Sequence, residues 1–197
     1  MPGLLPLWKG DRRILGRAIT VTISAEENFP FGRKENVEWW RHVEAGPEPQ
    51  VVVAQVLGRD PGAGAACGVL TASILKALGC EAFLTDGFVR DADEIAQSGL
   101  LVAARGVTLR HGNPHVVRFG EPVEVLGMRV APGDIVLAGA EGALAFPAGW
   151  ISDLPNMIQE VEGRVGPMLA FCRGKRRSAG QIAAAMAEHM PPARTAH

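Results

Sequence analysis

Residues 50–91 read "QVVVAQVLGRDPGAGAACGVLTASILKALGCEAFLTDGFVRD", and this stretch decides the fold class. The β-branched run at 50–56 predicts a buried strand, and a glycine-rich loop follows it at 59–68. Apolar residues at helical spacing, closed by a glycine, predict a helix at 69–79. The next strand is predicted at 81–87. A strand, helix, strand order predicts two parallel strands joined by a right-handed crossover.

The flanking sequence extends this unit into a strand-rich α/β domain. A further strand is predicted at 17–24 and a helix at 33–45. Short strands separated by glycine and proline turns predict a β meander at 101–147. Residues 150–197 are predicted to be helical, with Ser178 as the N-cap of a second helix and a frayed tail from 191.

Apolar spacing also predicts which side of each helix packs on the sheet. For the helix at 69–79, the predicted inward residues are Leu70, Ile74, Leu75 and Leu78. For the helix at 33–45, they are Val37, Trp40 and Val43.

Composition excludes several classes of protein. Apolar residues make up 47% and charged residues 21% of the 197 residues, which is typical of a globular chain able to bury a core. The net charge of -1 provides no general attraction for nucleic acid or an anionic membrane. No apolar run approaches the roughly 20 residues of a membrane span. The N-terminus lacks the layout of a signal peptide, so we expect a cytoplasmic protein with neither a nucleic-acid nor a membrane partner.

Cysteines, histidines and basic residues give weak signals. Cys67, Cys80 and Cys172 are odd in number and scattered, which argues against a disulfide framework or a structural zinc site. His111 and His115 have the separation of a zinc-binding helix, but the glycine and proline between them predict a turn. The basic run at 173–178 is typical of a solvated connection.

The glycine-rich loop permits two interpretations. Its glycines lie between a strand and a helix, as in a dinucleotide-binding fingerprint, but "GRDP" separates them from the strand and no repeated βαβ pattern follows. The alternative is a small carboxylate held by the backbone N–H groups that begin the helix, near residues 68–71. We favour the carboxylate.

Arg90 and Asp91 follow the next strand of the same unit. Because the carboxyl ends of adjacent parallel strands lie on one edge, Arg90 is predicted to clamp the same carboxylate. Asp91 can hold a divalent cation, since magnesium keeps most of its waters and needs only one or two protein carboxylates. A 2-keto acid would chelate such a cation through a carboxylate oxygen and its keto oxygen. The other interpretation of the Arg-Asp pair is a turn and helix start without chemistry.

Two segments strongly resemble the RraA-like family, which includes the 4-hydroxy-4-methyl-2-oxoglutarate aldolases and the regulators of ribonuclease activity A. They are "PGAGAACGVLTASILKALGCEAFLTDGFVRDADEI" at 61–95 and "HVVRFGEPVEVLGMRVAPGDIVLAGAEGALAFP" at 115–147. The opening "LPLWKGDRRILGRAITV" looks like the first strand of the same family, so the resemblance covers about residues 4–150.

The resemblance implies a three-layer β/β/α sandwich of the swivelling-domain type with C-terminal helices. Residues 1–160 would form the RraA-like domain, and 161–197 a helical extension of it. The implied assembly is a homotrimer or a dimer of trimers with active sites between subunits. The implied reaction depends on Mg²⁺, or alternatively Mn²⁺: a retro-aldol cleavage of 4-hydroxy-4-methyl-2-oxoglutarate-like substrates to pyruvate, often with oxaloacetate decarboxylation.

Site roles follow from the same resemblance, position by position. The backbone that would hold the pyruvate moiety is Gly68, Val69, Leu70 and Thr71. Arg90 matches the substrate-clamping arginine, and Asp91 matches the metal ligand, so both are the expected catalytic residues.

The chain departs from the family pattern at two positions. Val69 stands where active members carry an acidic residue that holds a proton-carrying water, and Gly139 stands where relatives have an aspartate. Loss of a positioned acid or base costs on the order of 10²- to 10⁴-fold in rate. The sequence therefore leaves two functions open. One is a lyase with a changed or weakened reaction, and the other is a catalytically silent scaffold that modulates a protein partner. Asp91, which the regulators tend to lose, favours the lyase.

Overall fold

The computed structural model describes residues 3–8, 10–25, 33–58, 60 and 62–190, with side chains of the first helix described from residue 36. The chain forms two compact units, residues 1–148 and 149–197. The boundary expected at residue 160 stays a prediction, and the tail expected from 191 lies outside the described residues.

Thirteen strands are present among the described residues, all in the first unit. In chain order they are β1 (Leu5–Pro6), β2 (Ile14–Ser24), β3 (Gln50–Leu57), β4 (Ala65–Cys67), β5 (Cys80–Thr85), β6 (Phe88–Val89), β7 (Leu101–Ala104), β8 (Gly106–Val107), β9 (His115–Phe119), β10 (Val123–Val125), β11 (Met128–Val130), β12 (Ile135–Gly139) and β13 (Gly142–Phe146).

In the described part of the chain, three helices belong to the first unit and two to the second. They are α1 (Arg33–Glu44), α2 (Val69–Ala77), α3 (Ala92–Gln97), α4 (Leu154–Cys172) and α5 (Ala179–His189). A 3-10 turn, Ala148–Trp150, precedes α4.

The main sheet has the strand order β1-β7-β5-β3-β2-β12-β13, and β9 also pairs with β2. Strands β2, β3, β5 and β7 run parallel to their neighbours in this series, whereas the outer strands are antiparallel. β3 and β5 are joined through α2, with Val52 opposite Phe83. The predicted strand-helix-strand unit with parallel strands is therefore confirmed.

Two hydrophobic cores lie on opposite faces of this sheet and define three layers. One core joins sheet residues such as Phe83 to Val43 of α1 and Leu75 of α2. The other joins the opposite face to Val125 and Val130 of the β10-β11 hairpin. Alternate residues of one strand point to opposite faces, which is why β3 contributes to both cores. The expected β/β/α fold is confirmed.

The helices are rotated relative to the predicted faces. Leu70 is 69% exposed, because α2 turns Ala72 and Leu75 toward the sheet and Leu70 lies about 200° around the helix from Ala72. α1 is rotated in the same way, so that Trp39 and Val43 face the sheet and are buried while Val37 is exposed. The inward placement predicted for Leu70 and Val37 was wrong.

The predicted meander begins later than expected. β7 pairs in parallel with β5, and β8 pairs in parallel with β6, so the first strands after α3 continue the parallel arrangement. The antiparallel hairpins β10-β11 and β12-β13 follow. The predicted loop at 59–68 also contains a strand, β4, because its backbone pairs with β6 in a second, three-stranded sheet.

The second unit contains a helical pair joined by the basic turn. Ser178 begins α5 with a capping box, in which its hydroxyl accepts from the Gln181 backbone and Gln181 accepts from the Ser178 backbone. This confirms the predicted N-cap. Arg177 stacks on the Phe171 ring at 4.3 Å and donates to the Phe171 carbonyl. In the described part of the chain, no helix combines the length and apolar character needed to cross a bilayer.

Candidate functional site at the start of α2

The three-stranded sheet β4-β6-β8 brings two chain segments together. Cys67 of β4 lies opposite Val89 of β6, and the Arg90 N–H donates to the Cys67 carbonyl at 3.0 Å. Both strands run in the same direction, so the residues that follow them, Gly68 and Arg90, emerge side by side. The expectation that Arg90 and the helix start share one edge is confirmed, although the strands that achieve it are β4 and β6.

Gly68 leaves the space into which the Arg90 and Asp91 side chains fit. A Cβ atom on Gly68 would lie 3.0 Å from Nε of Arg90 and 3.1 Å from Oδ2 of Asp91. The Gly68 backbone is extended, with φ of -128°, so the conformation itself does not require glycine. Close approach of the two charged side chains to the helix start requires it.

Asp91 connects the helix start to the arginine. Its Oδ2 accepts a hydrogen bond from the Val69 backbone N–H, the first of α2, at 3.3 Å. The same oxygen lies 3.1 Å from NH1 of Arg90, and the side chains of Arg90 and Asp91 are 33% and 26% exposed. The ion pair is therefore reachable from solvent while one carboxylate oxygen is fixed at the positive end of the α2 dipole.

The backbone of Asp91 is left-handed, with φ of 59° and ψ of 43°. Aspartate adopts this region more readily than most residues, but it costs an ordinary L-residue roughly 1–2 kcal/mol. The conformation turns the chain from β6 into α3 while the side chain points back to α2. A strained residue held by its surroundings is typical of a functional position.

The remaining expected backbone contacts lie in the first turn of α2. Leu70 and Thr71 are exposed, and Val69 is half-buried. As at the start of any helix, their N–H groups have no intrahelical acceptor, whereas the Ala72 N–H donates to the Gly68 carbonyl at 3.0 Å. The structure brings together all six expected site residues, Gly68, Val69, Leu70, Thr71, Arg90 and Asp91.

Cys67 forms the buried floor beneath this helix start. Its thiol contacts the Gly68 carbonyl at 3.5 Å, and burial raises its pKa to about 12. A thiol with that pKa stays protonated at neutral pH and is neither a metal ligand nor a nucleophile.

From the sequence, Asp86 has two possible roles, a hydrogen bond that positions Arg90 or stabilisation of the turn before Gly87, and its contact fits the second. Its Oδ1 accepts from the Val56 N–H at 2.7 Å, which ties the end of β3 to the turn between β5 and β6. Burial raises the pKa of Asp86 above its ordinary 3.8, and the hydrogen bond from Val56 opposes that shift. Asp86 thus fixes the turn that leads to Arg90.

The histidine pair does not form a metal site. Nδ1 of His111 contacts the Gly112 carbonyl at 2.8 Å, and Nδ1 of His115 contacts the Asn113 carbonyl at 2.7 Å. Across the residues that the structure describes, no three His, Cys, Asp or Glu side chains come together in a way that could hold a metal ion. A cation at the α2 start would have Asp91 as its protein carboxylate. That donor set fits Mg²⁺ or Mn²⁺, which accept water as the other ligands, and does not fit structural zinc.

Comparison with known proteins identifies the family. The model for the RraA-like family, described as Aldolase/RraA, matches residues 1–145. The chain belongs to the RraA-like family. An uncharacterized protein of Methanocaldococcus jannaschii is 26% identical over 165 residues, which cover 81% of this chain and 72% of that protein.

Solved structures of similar fold include an uncharacterized protein and a member of the RraA protein family. An uncharacterized protein from Pseudomonas syringae pv. tomato has a TM-score of 0.69 at 19% identity, with 95% of this chain and 81% of that chain covered. RraAS2 from Streptomyces coelicolor, called an unusual member of the RNase ES inhibitor RraA protein family, has a TM-score of 0.66 at 21% identity, with 88% and 82% covered. These similarities support the RraA-like fold, and the family description joins aldolases with RraA proteins.

Proposed function

We propose that this RraA-like protein is a divalent-metal-dependent lyase acting on a small 2-keto acid. The reaction would be pyruvate-yielding cleavage of 4-hydroxy-4-methyl-2-oxoglutarate-like substrates, decarboxylation of oxaloacetate, or both. The observation that carries the proposal is the approach of Arg90 and Asp91 to Gly68 at the N-terminus of α2. A positive guanidinium, a carboxylate and outward-facing amides together match a carboxylate ligand with a bound cation.

Arg90 supplies the positive charge for the acid. Its NH1 is within 3.2 Å of both Asp91 oxygens, so the guanidinium needs only side-chain rotation to turn toward a ligand above Gly68. A guanidinium binds a carboxylate through two parallel hydrogen bonds, and the N–H groups of Leu70 and Thr71 add neutral donors. The substrate carboxylate is thereby oriented before reaction.

Asp91 would hold the cation, Mg²⁺ or Mn²⁺. When bound, the ion would supply Lewis-acid polarisation of the keto oxygen. The hydrogen bond from the Val69 N–H keeps Oδ2 of Asp91 oriented. Oδ1, which accepts from NH1 of Arg90 at 3.2 Å, would become available to the cation when the guanidinium turns to the acid. Fixing the carboxylate in advance reduces the ordering cost of binding.

Decarboxylation makes the smaller demand on this site. The C3–C4 electron pair of oxaloacetate moves toward the keto group, CO₂ leaves, and the resulting pyruvate enolate takes a proton from solvent at C3. Negative charge develops on the keto oxygen, and Arg90 stabilises it. Retro-aldol cleavage also requires removal of the C4 hydroxyl proton, and Val69 cannot accept it. We therefore expect decarboxylation to exceed aldol cleavage.

The second candidate is a catalytically silent scaffold that binds and modulates a protein partner. Val69, in place of an acidic residue, is the observation that favours it. Under either function we expect a cytoplasmic homotrimer or dimer of trimers, as the family resemblance implies.

The proposal is tested by the rate of oxaloacetate decarboxylation in the presence of Mg²⁺. The rate of a blank without protein is subtracted, because the metal alone catalyses slow decarboxylation of oxaloacetate. We expect Arg90→Ala and Asp91→Ala to lower the turnover by about 10²- to 10³-fold, the cost of removing one charge-stabilising group. Arg129→Ala is the matched control, because Arg129 also pairs with a carboxylate, that of Glu124, and is 89% exposed. Turnover unaffected by either site change would contradict the proposal.

Ligand binding separates the two candidates. In the lyase case, Mg²⁺ with pyruvate or oxalate should stabilise the intact chain by about 2.7 kcal/mol when the ligand concentration is 100 times its Kd, and the Tm should rise accordingly. Arg90→Ala should abolish this rise in Tm. No shift with either acid at millimolar concentration would favour the scaffold.

A further inference from the structure

A cavity of about 120 Å³ lies between α1, α2 and the main sheet. Its floor includes Val21, Leu75 and Phe83, each 1% exposed, and Trp39, which is 5% exposed. The cavity is partly open to solvent, so an apolar group of a ligand can enter it and leave water.

The lining is mostly apolar, and no Asp, Glu, Lys or Arg side chain is among its described residues. Among the described residues that line the cavity, His115 is the one titratable side chain, and its Nδ1 donates to the Asn113 carbonyl. The other side chains of this lining that carry hydrogen-bonding groups are Asn36, Thr71 and the indoles of Trp39 and Trp40. An unpaired carboxylate would be strongly disfavoured here, whereas an aliphatic or aromatic group would gain by leaving water.

Thr71 connects the cavity to the acid site. It lines the cavity and is exposed, so it stands at the mouth, and it follows Gly68 by three residues. Gly68 is the residue before α2, so Thr71 lies three residues, roughly 4.5 Å of helical rise, further along the chain. Arg90 and Asp91 approach α2 at Gly68, so a ligand held there has the cavity mouth within one helical turn.

We propose that this cavity receives the apolar end of the 2-keto acid whose carboxylate binds at Gly68 and Arg90. The preferred substrate class is then a 2-keto acid that carries the 4-hydroxyl needed for retro-aldol cleavage and whose chain ends in a branched aliphatic or small aromatic group. Oxaloacetate and 4-hydroxy-4-methyl-2-oxoglutarate, which end in a second carboxylate, are then only minimal probes of the chemistry. The inference rests on the proposed acid site, but it concerns a different part of the ligand.

Cavity size limits the group. A dry cavity of about 150 Å³ in another protein binds benzene, so one of 120 Å³ matches a branched four-carbon group and is at its limit with a phenyl ring. Burial of one methylene tightens binding by about fourfold. A four-carbon branched chain should therefore bind at least tenfold more tightly than pyruvate.

Calorimetry on the full chain with Mg²⁺ tests this with four probes: pyruvate, 2-oxobutyrate, 4-methyl-2-oxopentanoate and 2-oxoglutarate. We expect affinity to rise about fourfold from pyruvate to 2-oxobutyrate and at least tenfold to 4-methyl-2-oxopentanoate. The acid-ended 2-oxoglutarate should bind no more tightly than pyruvate.

Ile74→Trp fills the cavity from its half-buried wall on α2 and leaves the acid site unchanged. We expect this variant to bind pyruvate within twofold of the unchanged chain and to lose the preference for the branched acid. Ile158→Trp, the same replacement at an exposed position of α4, should keep the preference. If Ile74→Trp lowers the Tm and loses pyruvate binding, the smaller Ile74→Phe replaces it with the same expected result.

Each outcome distinguishes the inference from the function on which it rests. Arg90-dependent pyruvate binding without a gain for the branched acid, or with a gain that survives cavity filling, overturns the inference and leaves the proposed acid site standing. Branched-acid binding that Ile74→Trp removes but Arg90→Ala does not change overturns the acid site. If none of the four acids binds, both proposals are wrong.

Discussion

The backbone N–H of Val69 donates to the carboxylate of Asp91 across 3.3 Å, which joins the first residue of α2 to the residue that precedes α3. Twenty-two positions separate the two residues in sequence. The bond explains why the strained turn at Asp91 and the glycine at position 68 occur together: one directs the carboxylate toward the helix start, and the other leaves room for it.

Gly68→Ala should weaken acid binding with little loss of stability. The new methyl would press on Arg90 and Asp91 at about 3 Å, so both side chains must move, while the extended backbone accepts alanine without strain. We expect at least a tenfold rise in the Kd for oxalate by calorimetry. Gly163→Ala is the control, since a Cβ there meets open space in α4 and should stabilise the protein by roughly 0.5–1 kcal/mol. Equal oxalate affinity in both variants would contradict this account of Gly68.

Asp91→Asn separates the charge of the carboxylate from its hydrogen bond. Asparagine also accepts the left-handed backbone, and its amide oxygen can take the bond from Val69, so the Tm should change by only a few degrees. The Mg²⁺ dependence of acid binding should disappear. Asp134→Asn provides the comparison, because Asp134 accepts a backbone N–H from Ala131 in another turn. Unchanged Mg²⁺ dependence in Asp91→Asn would mean that the cation binds elsewhere.

Val69→Glu should restore aldol cleavage if the rest of the site is intact. A carboxylate at the first position of α2 also suits the helix dipole, so the fold should tolerate it. We expect turnover of 4-hydroxy-4-methyl-2-oxoglutarate to rise by 10²-fold or more, with Val69→Gln as the uncharged control. No gain over Val69→Gln would indicate that the missing group is not the one at position 69.

Asp86→Asn should stabilise the protein at neutral pH. Burial raises the pKa of Asp86 in the folded state, so the native protein binds more protons than the unfolded chain between pH 3.8 and that raised value, and stability falls as the pH rises through this window. Asparagine keeps an acceptor for the Val56 N–H and removes the buried charge. The gain in Tm should be present at pH 7 and absent below pH 3.8, where Asp86 is protonated in both states. An equal gain at both values would exclude ionisation as the cause.

Alkylation should distinguish the three cysteines. Cys172 is exposed, whereas burial raises the pKa of Cys67 and of Cys80 to about 12 and keeps both thiols protonated. Iodoacetamide at pH 7.5 should label Cys172 in the folded protein, and the other two only after unfolding, as measured by mass spectrometry of peptides. Early labelling of Cys67 would show that the floor of the acid site opens.

Much of this arrangement was predictable because it depends on local patterns. The β-branched run of β3, the glycine that ends α2 and the serine that caps α5 each carry their own signal. The rotation of α2 about its axis could not be predicted in this way, because Leu70 and Leu75 are equally apolar. Only the contacts with the sheet decide that Leu75 faces inward. The parallel pairing of β4 with β6 was not predicted either, because strands of two or three residues are too short to show an alternating pattern of apolar and polar residues.

At the site, the approach of Arg90 to the α2 start followed from topology, but the bond from Val69 to Asp91 did not. It depends on a left-handed backbone at an aspartate, which no local pattern requires. The apolar cavity could not be predicted from the sequence either, because its walls come from residues distant in sequence, such as Val21 and Phe83, whose side chains meet only after folding.

The main-chain pairing of β4 with β6 has an evolutionary consequence. The bond from the Arg90 N–H to the Cys67 carbonyl uses no side-chain atoms, so the frame that presents the helix start persists whatever residue occupies position 69. A single substitution at position 69 would therefore add or remove an acidic group without rebuilding the fold. Under the proposed function, such a change would convert a silent binding protein into a catalyst, or the reverse.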